Sequence, residues 1–284
     1  MSVLSQTSAA EHSLEEGARG AKAPHVHLKG VTRIYPAVAN NPEVHALAST
    51  DLDLPQGSFF SVIGPSGCGK STLLDIVAGL ASPTEGTVMF EGKRIEGRPP
   101  EGVGVVFQED SSFPWLTVWN NVAFGLRRQR IAKAEMAKRV DAILAFTGLS
   151  DFSQAYPAQL SGGMRQRVCI ARTLVLQPRL ILLDEPFGAL DQQTRLLMGD
   201  ELLRIWRETG ATIMMITHSL DEAAMLADHV GVMSARPGKF IEIIETGWPR
   251  DRTSEIVSEA RFGSITAHMW SLLREESQKA MKTR

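Results

Sequence analysis

The apolar positions of this chain fall into short runs that alternate with stretches of helical character. Apolar runs typical of strands occupy residues 26–34, 58–63, 103–107, 180–183, 211–216 and 230–233. The first run alternates like an edge strand, and residues 86–95 have the pattern of a hairpin. Residues 115–176 place Ala, Leu, Arg and Lys at helical spacing. Strands that alternate with helices predict an α/β fold with a largely parallel sheet and an inserted helical subdomain.

The two ends of the chain differ from this pattern. Residues 1–24 are small and polar and lack the apolar segment of a signal peptide, which predicts a disordered tail. Residues 251–284 form a predicted C-terminal helical extension. One helical stripe in this extension carries the apolar side chains Ile265, Met269, Leu272 and Leu273. We expect this stripe to pack against the body of the protein.

The composition narrows the class of protein. Of the 284 residues, 43% are hydrophobic, so the chain can bury a large core. Its net charge of −2 argues against a protein that coats nucleic acid, because such proteins are usually far more basic. No apolar run approaches the roughly 18 residues that cross a bilayer. Two cysteines are too few for a disulfide scaffold, and together with the absence of a signal peptide they predict a cytoplasmic location.

A glycine-rich loop follows the run that ends at residue 63. It matches the phosphate-binding pattern G-x-x-x-x-G-K-[ST] and consists of Gly64, Pro65, Ser66, Gly67, Cys68, Gly69, Lys70 and Ser71. Glycines let successive backbone N–H groups surround a phosphate, and the helix that follows adds its positive N-terminal end. Lys70 can then reach the β- and γ-phosphates, and the Ser71 hydroxyl can bind Mg²⁺. We add Thr72 to these residues as part of the predicted nucleotide site.

Cys68 lies inside this loop, beside a helix N-terminus that could lower the pKa of its thiol. We expect the residue to fill the loop rather than to act as a catalyst. A testable hypothesis follows: alkylation of the thiol should block nucleotide binding, and bound ATP should protect it.

Two adjacent acids, Asp184 and Glu185, follow the apolar run 180–183. Burying charge without a partner is costly, so acids at the end of a buried strand indicate function more than structure. A strand end beside the phosphate-binding loop is where Mg²⁺ would bind. Asp184 fits a direct or indirect Mg²⁺ ligand, and Glu185 fits a general base that polarises the attacking water. The alternative is a surface turn.

Residues 160–167 read LSGGMRQR, which closely resembles the LSGGQ signature of ABC-transporter ATPases. The family's other motifs occur in the expected order: Tyr35 as the A-loop aromatic residue, Gln108 as the Q-loop glutamine, residues 189–191 as the D-loop and His218 as the switch histidine. The resemblance covers roughly residues 26–245. Met164 stands where the signature usually has glutamine, a small departure because that side chain is not the main phosphate contact.

The resemblance implies a P-loop NTPase fold of the α/β class, with a mixed or parallel core sheet, an antiparallel β subdomain and an inserted α-helical subdomain. It assigns residues 25–250 to the ATPase domain and about 109–176 to the helical subdomain.

The resemblance also implies how ATP is bound. In the family, the signature residues of one subunit, here Ser161 and Gly163, cap the γ-phosphate held by the other subunit. Two ATP molecules are then buried in a head-to-tail homodimer. Tyr35 would stack on adenine, and Asp191 of the D-loop is counted with the nucleotide-binding residues.

The expected catalytic residues are Glu185, His218 and Gln108. The resemblance implies that His218 holds the γ-phosphate and the lytic water. Ser71, Gln108 and Asp184 are the expected Mg²⁺ ligands.

The segment from Gln108 to Val122 reads QEDSSFPWLTVWNNV, and this resembles the ATPases of nitrate, sulfonate and taurine importers. Residues 234–238 (SARPG) resemble another stretch of that group. In the family this region forms the groove for the coupling helix of the permease, and Phe113, Trp115 and Trp119 suit such a groove because aromatic residues favour interfaces. The alternative is that these aromatic residues build the core of the helical subdomain.

The sequence therefore predicts the ATPase subunit of an importer for nitrate, taurine, an alkanesulfonate or a related small anion. Its expected partners are a second copy, the permease subunits and, indirectly, a periplasmic or extracellular solute-binding protein, with no nucleic acid. Its expected location is the cytoplasmic face of the inner membrane. Two alternatives stay open: an importer for another solute such as a pyrimidine precursor, and a non-transport ABC ATPase of DNA repair or translation. A binding module without turnover would be expected to lack Glu185 or His218, and both are present.

Overall fold

The computed structural model describes residues 25–38, 42–108, 111–188 and 190–282. The predicted tail, residues 1–24, lies outside this part of the chain, as does Ala189 of the predicted D-loop. The strands are, in chain order, β1 Val26–Tyr35, β2 Val44–Leu54, β3 Phe59–Ile63, β4 Glu85–Phe90, β5 Lys93–Arg94, β6 Val103–Val106, β7 Leu180–Asp184, β8 Thr212–Ile216, β9 His229–Met233 and β10 Phe240–Glu245. The α-helices are α1 Lys70–Val77, α2 Val118–Arg128, α3 Lys133–Phe146, α4 Gly162–Leu174, α5 Gln192–Thr209, α6 Leu220–Leu226 and α7 Ala260–Lys282.

The smaller sheet is antiparallel and has the strand order β2-β1-β4-β5. Because β1 pairs with β2 on one side and β4 on the other, the expectation of an edge strand is wrong. Strand β2 was not predicted; in it, exposed Asp51 and Asp53 alternate with buried Leu52 and Leu54. This alternation leaves no apolar run, although it is the pattern of a strand with one buried face.

The larger sheet has the order β10-β9-β3-β8-β7-β6. Strands β9, β3, β8, β7 and β6 are parallel, and β10 pairs antiparallel with β9. The α/β class and the mixed core sheet are therefore confirmed. The carboxyl ends of parallel strands meet at one edge of a sheet, so the segments that follow β3, β6, β7 and β8 lie together.

The larger sheet is packed on both faces. Successive side chains of a strand point to opposite faces, and β8 divides its apolar residues accordingly. Ile213 and Met215 belong to the core that includes α5, α6 and α7, whereas Met214 and Ile216 belong to the core that includes α1 and the smaller sheet. Fully buried residues on both faces fix the register of the central strands, and with it the positions of their ends.

The inserted helices α2, α3 and α4 pack around a third core, which includes Val122, Val140 and Val168. The described residues thus have the helical segment that the sequence predicted between residues 115 and 176.

The C-terminal helix α7 packs against the body, as predicted. Ile265 and Met269 are buried in the core shared with α5 and α6, and Leu272 and Leu273 pack against its margin. A hydrogen bond of 2.7 Å between His268 and Glu242 links the helix to β10. Among the helices described, none combines the length and the apolar character that crossing a bilayer requires.

Candidate nucleotide-binding and catalytic site

The predicted phosphate-binding loop connects β3 to α1 at the carboxyl edge of the larger sheet. Gly69 has a φ of +106°, and a Cβ at this position would lie 2.6 Å from the carbonyl oxygen of Ala46, so only glycine fits. The N-cap residue of α1 is Gly69, which has no side chain to occupy the helix N-terminus. The first backbone N–H groups of the helix are therefore directed toward the loop as potential donors to a phosphate.

Lys70 lies within the loop and is buried. Its Nζ donates to the carbonyl oxygens of Gly64, at 2.8 Å, and Pro65, at 3.0 Å. These contacts hold the ammonium group on the inner side of the loop, where a bound phosphate would attract it.

Asp184 ends β7 beside the loop. Burial raises the pKa of its carboxyl group, a hydrogen bond with Ser71 lowers it, and the neighbouring charge of Glu185 raises it further. The Oδ1 atom of Asp184 is buried and has no hydrogen-bond partner among the described residues. A carboxylate oxygen without a partner and a neighbouring hydroxyl are suitable oxygen ligands for Mg²⁺. Asp184 and Ser71 therefore fit the implied ion.

The three predicted catalytic side chains converge. Oε2 of Glu185 accepts a hydrogen bond of 3.1 Å from Nε2 of Gln108 and lies 3.1 Å from Nδ1 of His218. These residues follow β6, β7 and β8, which are neighbours in the sheet. The strand order therefore brings together groups that are 33 and 77 residues apart in the sequence.

An ion pair that was not predicted from the sequence supports the segment that carries His218. Glu222 is 3% exposed and lies 3.1 Å from Nε of Arg195. Burial raises the pKa of Glu222, and a hydrogen bond of 2.5 Å from Oγ1 of Thr217 opposes this rise. Thr217 immediately precedes His218. The hydrogen bond between Thr217 and Glu222 therefore helps to fix the backbone from which the histidine projects.

Tyr35 lies at the end of β1 and is 37% exposed. Its hydroxyl is 3.5 Å from Oγ1 of Thr72 in α1, and the guanidinium of Arg33 lies 4.5 Å from its ring centroid. The ring is thus beside the phosphate-binding loop with part of its surface open, as stacking on adenine would require.

The signature and D-loop residues cap helices. Ser161 precedes α4, and its Oγ accepts from the N–H of Met164 at 3.3 Å. Asp191 precedes α5 and accepts from the N–H and the hydroxyl of Thr194, which lowers the pKa of Asp191. In the part of the chain that the structure describes, these side-chain hydrogen bonds of Ser161 and Asp191 stay at the starts of their own helices.

The structure contradicts the suggestion that the pKa of the Cys68 thiol is lowered. The residue is 1% exposed, and burial raises the pKa of its thiol, although the nearby charge of Lys70 opposes the rise. The backbone N–H of Lys70, at the start of α1, also lowers this pKa, but burial outweighs both effects.

The three predicted interface aromatics differ in exposure. Trp115 is 71% exposed, whereas Phe113 and Trp119 are half-buried. Phe113 packs against Phe124, with ring centroids 4.6 Å apart, and Nε1 of Trp119 donates to Asp141 at 2.9 Å. Phe113 and Trp119 therefore serve largely the packing of the helical subdomain, and Trp115 is the one of the three that offers most of its surface.

Asn121 fixes the segment that carries Trp115, and this role was not visible in the sequence. The side chain is fully buried in α2. Its Oδ1 accepts from the N–H of Phe113, and its Nδ2 donates to the carbonyl oxygens of Phe113, Leu116 and Thr117. The segment 113–117 is therefore attached to α2 along its whole length.

The loop, the carboxylate pair and the sheet that positions them define a P-loop ATPase. A family model described as ABC transporter matches residues 47–188. The chain belongs to the ABC transporter family, and its activity is the hydrolysis of ATP.

Relatives and a solved structure agree with this assignment. An uncharacterized ABC transporter ATP-binding protein of Methanocaldococcus jannaschii is 45% identical over 90% of this chain and 93% of its own. A nitrate import ATP-binding protein of Synechocystis is 42% identical over 88% and 95%, and a taurine import ATP-binding protein of Roseobacter denitrificans is 48% identical over 71% and 75%. A dimeric ATP-binding cassette in a post-hydrolysis state, bound to ADP and Pi, is 31% identical, covers 79% of this chain and 100% of its own, and superimposes with a TM-score of 0.70. The resemblance to importer ATPases that the sequence indicated is confirmed.

Proposed function

We propose that this chain is the ATP-hydrolysing subunit of an importer for a small anion such as nitrate, taurine or an alkanesulfonate. The observation that best supports ATP hydrolysis is the contact of one carboxylate oxygen of Glu185 with both Gln108 and His218. Import is supported by the relatives named for nitrate and taurine import, which match most of this chain.

In this proposal each side chain has a separate task. Lys70 and the N–H groups at the start of α1 neutralise the phosphates. Glu185 accepts the proton of the attacking water, while Gln108 and His218 keep its carboxylate oriented. Ser71, Gln108 and Asp184 would hold Mg²⁺, which supplies further neutralisation of phosphate charge when bound.

We propose that two copies of this chain assemble around the nucleotide. Ser161 caps α4 and Gly163 lies in its first turn, where the start of the helix presents a second set of backbone donors. A second copy would supply these donors to the γ-phosphate. The dimeric cassette at 31% identity supports the assembly.

We propose that the segment 113–117 receives the permease. Trp115 is exposed and is held by a rigid loop, a combination typical of an interface anchor. Contact with the permease would hold the subunit at the cytoplasmic face of the inner membrane, and a solute-binding protein would act on the other side of the same permease.

Reconstitution tests this function. The subunit would be combined with the permease of the same transporter in proteoliposomes, with the solute-binding protein added on its side. We expect ATP-dependent uptake of nitrate or a sulfonate, and loss of uptake with Glu185→Gln. Uptake of a pyrimidine precursor but of neither anion would contradict the solute class, and ATP hydrolysis that no permease changes would contradict the role in transport.

A further inference from the structure

The last turns of α7 reach the side of the phosphate-binding loop. A cavity of about 360 Å³ separates the two, with Pro65, Ser66, Gly67, Ala235, Arg236, Ser277, Ala280 and Met281 in its walls. At the base of these turns, Oε2 of Glu276 accepts a hydrogen bond of 2.8 Å from the backbone N–H of Ala235. Glu276 is 6% exposed, although the helix around it lies on the surface.

Glu276 is held as a charged acceptor. Burial alone would raise its pKa, but its bond to Lys279 and the N–H of Ala235 keep that pKa below its ordinary value. Hydrogen bonds to an ionised carboxylate are roughly twice as strong as neutral ones. The contact therefore fixes one end of the segment 234–239, which joins β9 to β10.

The segment 234–239 is itself tightly bound. Oγ of Ser234 accepts from the N–H of Lys239 at 3.1 Å and donates to the carbonyl oxygen of Pro237 at 3.2 Å. The N–H of Gly238 donates to Ala46 at 2.9 Å. A displacement at Ala235 would therefore move the whole segment.

This segment forms the surface on which the phosphate-binding loop rests. A Cβ at Gly238 would lie 2.0 Å from the carbonyl oxygen of Cys68, and a Cβ at Gly64 would lie 3.0 Å from Cβ of Met233. The backbones are thus in direct contact at both ends of the loop. Close-packed neighbours transmit small shifts, because no free space absorbs them.

We propose that Glu276 is a positioning residue for the ATP site, which acts on the phosphate-binding loop through Ala235 and Gly238. This inference rests on the role in ATP binding proposed above for the loop around Lys70. The carboxylate holds the segment 234–239 against Cys68 and so keeps the backbone donors of the loop aligned. The C-terminal helix thereby sets the affinity for ATP from outside the nucleotide site.

Three variants test this inference. Glu276→Ala removes the acceptor, Glu276→Gln keeps an oxygen that can accept from Ala235, and Glu275→Ala removes the same charge from an exposed neighbour on the same helix. The measurements are steady-state ATP hydrolysis, the Kd of a fluorescent ATP analogue, and hydrogen exchange of the amides from Cys68 to Lys70.

For Glu276→Ala we expect the KM and the Kd to rise about threefold to tenfold, with kcat changed less than twofold, as for coupling through packed neighbours. Exchange in the loop should increase. Glu276→Gln should restore most of the affinity, and Glu275→Ala should match the unaltered protein.

Two results would overturn the inference. One is unchanged affinity and exchange in Glu276→Ala, and the other is a lower kcat at unchanged KM, which would indicate loss of folded protein only. Lys70→Ala, measured in parallel, separates the causes. If Lys70→Ala loses affinity and Glu276→Ala does not, the inference alone fails; if neither loses affinity, the assignment of the loop fails with it.

Discussion

Nδ1 of His218 lies 3.1 Å from Oε2 of Glu185, and the two residues follow the neighbouring parallel strands β8 and β7. The backbone of Glu185 is left-handed, with a φ of +47°, and its N–H donates to the carbonyl oxygen of Ile216 at 2.9 Å. The left-handed backbone conformation costs a non-glycine residue about 1–3 kcal/mol, and it persists where surrounding contacts stabilise it. The backbone, held by β8, thus directs the carboxylate toward the histidine.

Replacing Glu185 tests the general base. Glu185→Gln keeps the size of the side chain but cannot accept a proton, so ATP turnover should fall by about 10²-fold or more. ATP binding should persist, and a stable dimer should accumulate in gel filtration with ATP. Glu245→Gln, at an exposed position at the end of β10, serves as the control. Turnover close to normal in Glu185→Gln would exclude the residue as the base.

Replacing Lys70 tests the phosphate-binding loop. Lys70→Ala removes the ammonium group that the loop holds on its inner side, so the Kd for ATP should rise at least about tenfold, or 1.4 kcal/mol. Equilibrium binding of a fluorescent ATP analogue measures this change. Lys93→Ala, an exposed lysine in β5, should leave the Kd unaltered. Near-normal affinity in Lys70→Ala would contradict the assignment.

Replacing Trp115 tests the permease interface. Trp115→Ala should reduce ATP-driven uptake in the assembled transporter several-fold while the isolated subunit hydrolyses ATP normally. The ring is exposed and the segment is held by Asn121, so folding should not suffer. Trp270→Ala is a matched control, since this tryptophan is 59% exposed and lies on α7. If assembly and uptake are normal in Trp115→Ala, the permease binds elsewhere.

The buried thiol of Cys68 predicts slow alkylation. The thiolate is the reactive form, and a raised pKa means that less of it is present at a given pH. In the native protein, labelling by iodoacetamide at pH 8 should be far slower than in the unfolded chain and should still increase above the pKa of about 8.5 that a free cysteine has. Mass spectrometry of native and unfolded samples measures both rates. Rapid native labelling would show that the loop opens readily.

The sequence predicts the strands that carry the site because they are short, buried on both faces and almost wholly apolar. It also predicts the residues that follow them, since motif and strand end coincide at Asp184 and His218. The missed strand β2 has only one buried face, so its polar residues conceal it. The alternation in β1 is typical of an edge strand, but here it belongs to a central strand of the smaller sheet.

Other features depend on contacts between distant residues. The pair of Arg195 and Glu222 spans 27 positions, as 222 − 195 gives. The close approach of Gly238 to the carbonyl oxygen of Cys68 spans 170 positions, as 238 − 68 gives. Neither contact leaves a local pattern, so spacing along the chain could not reveal them.

The attachment of the segment 113–117 to α2 has a mechanical consequence. Four hydrogen bonds of the Asn121 side chain leave this segment no independent hinge. Any rotation of the three inserted helices would therefore rotate the backbone of Trp115 through the same angle. A single buried amide therefore couples the backbone that carries the exposed indole to the motion of the helical subdomain.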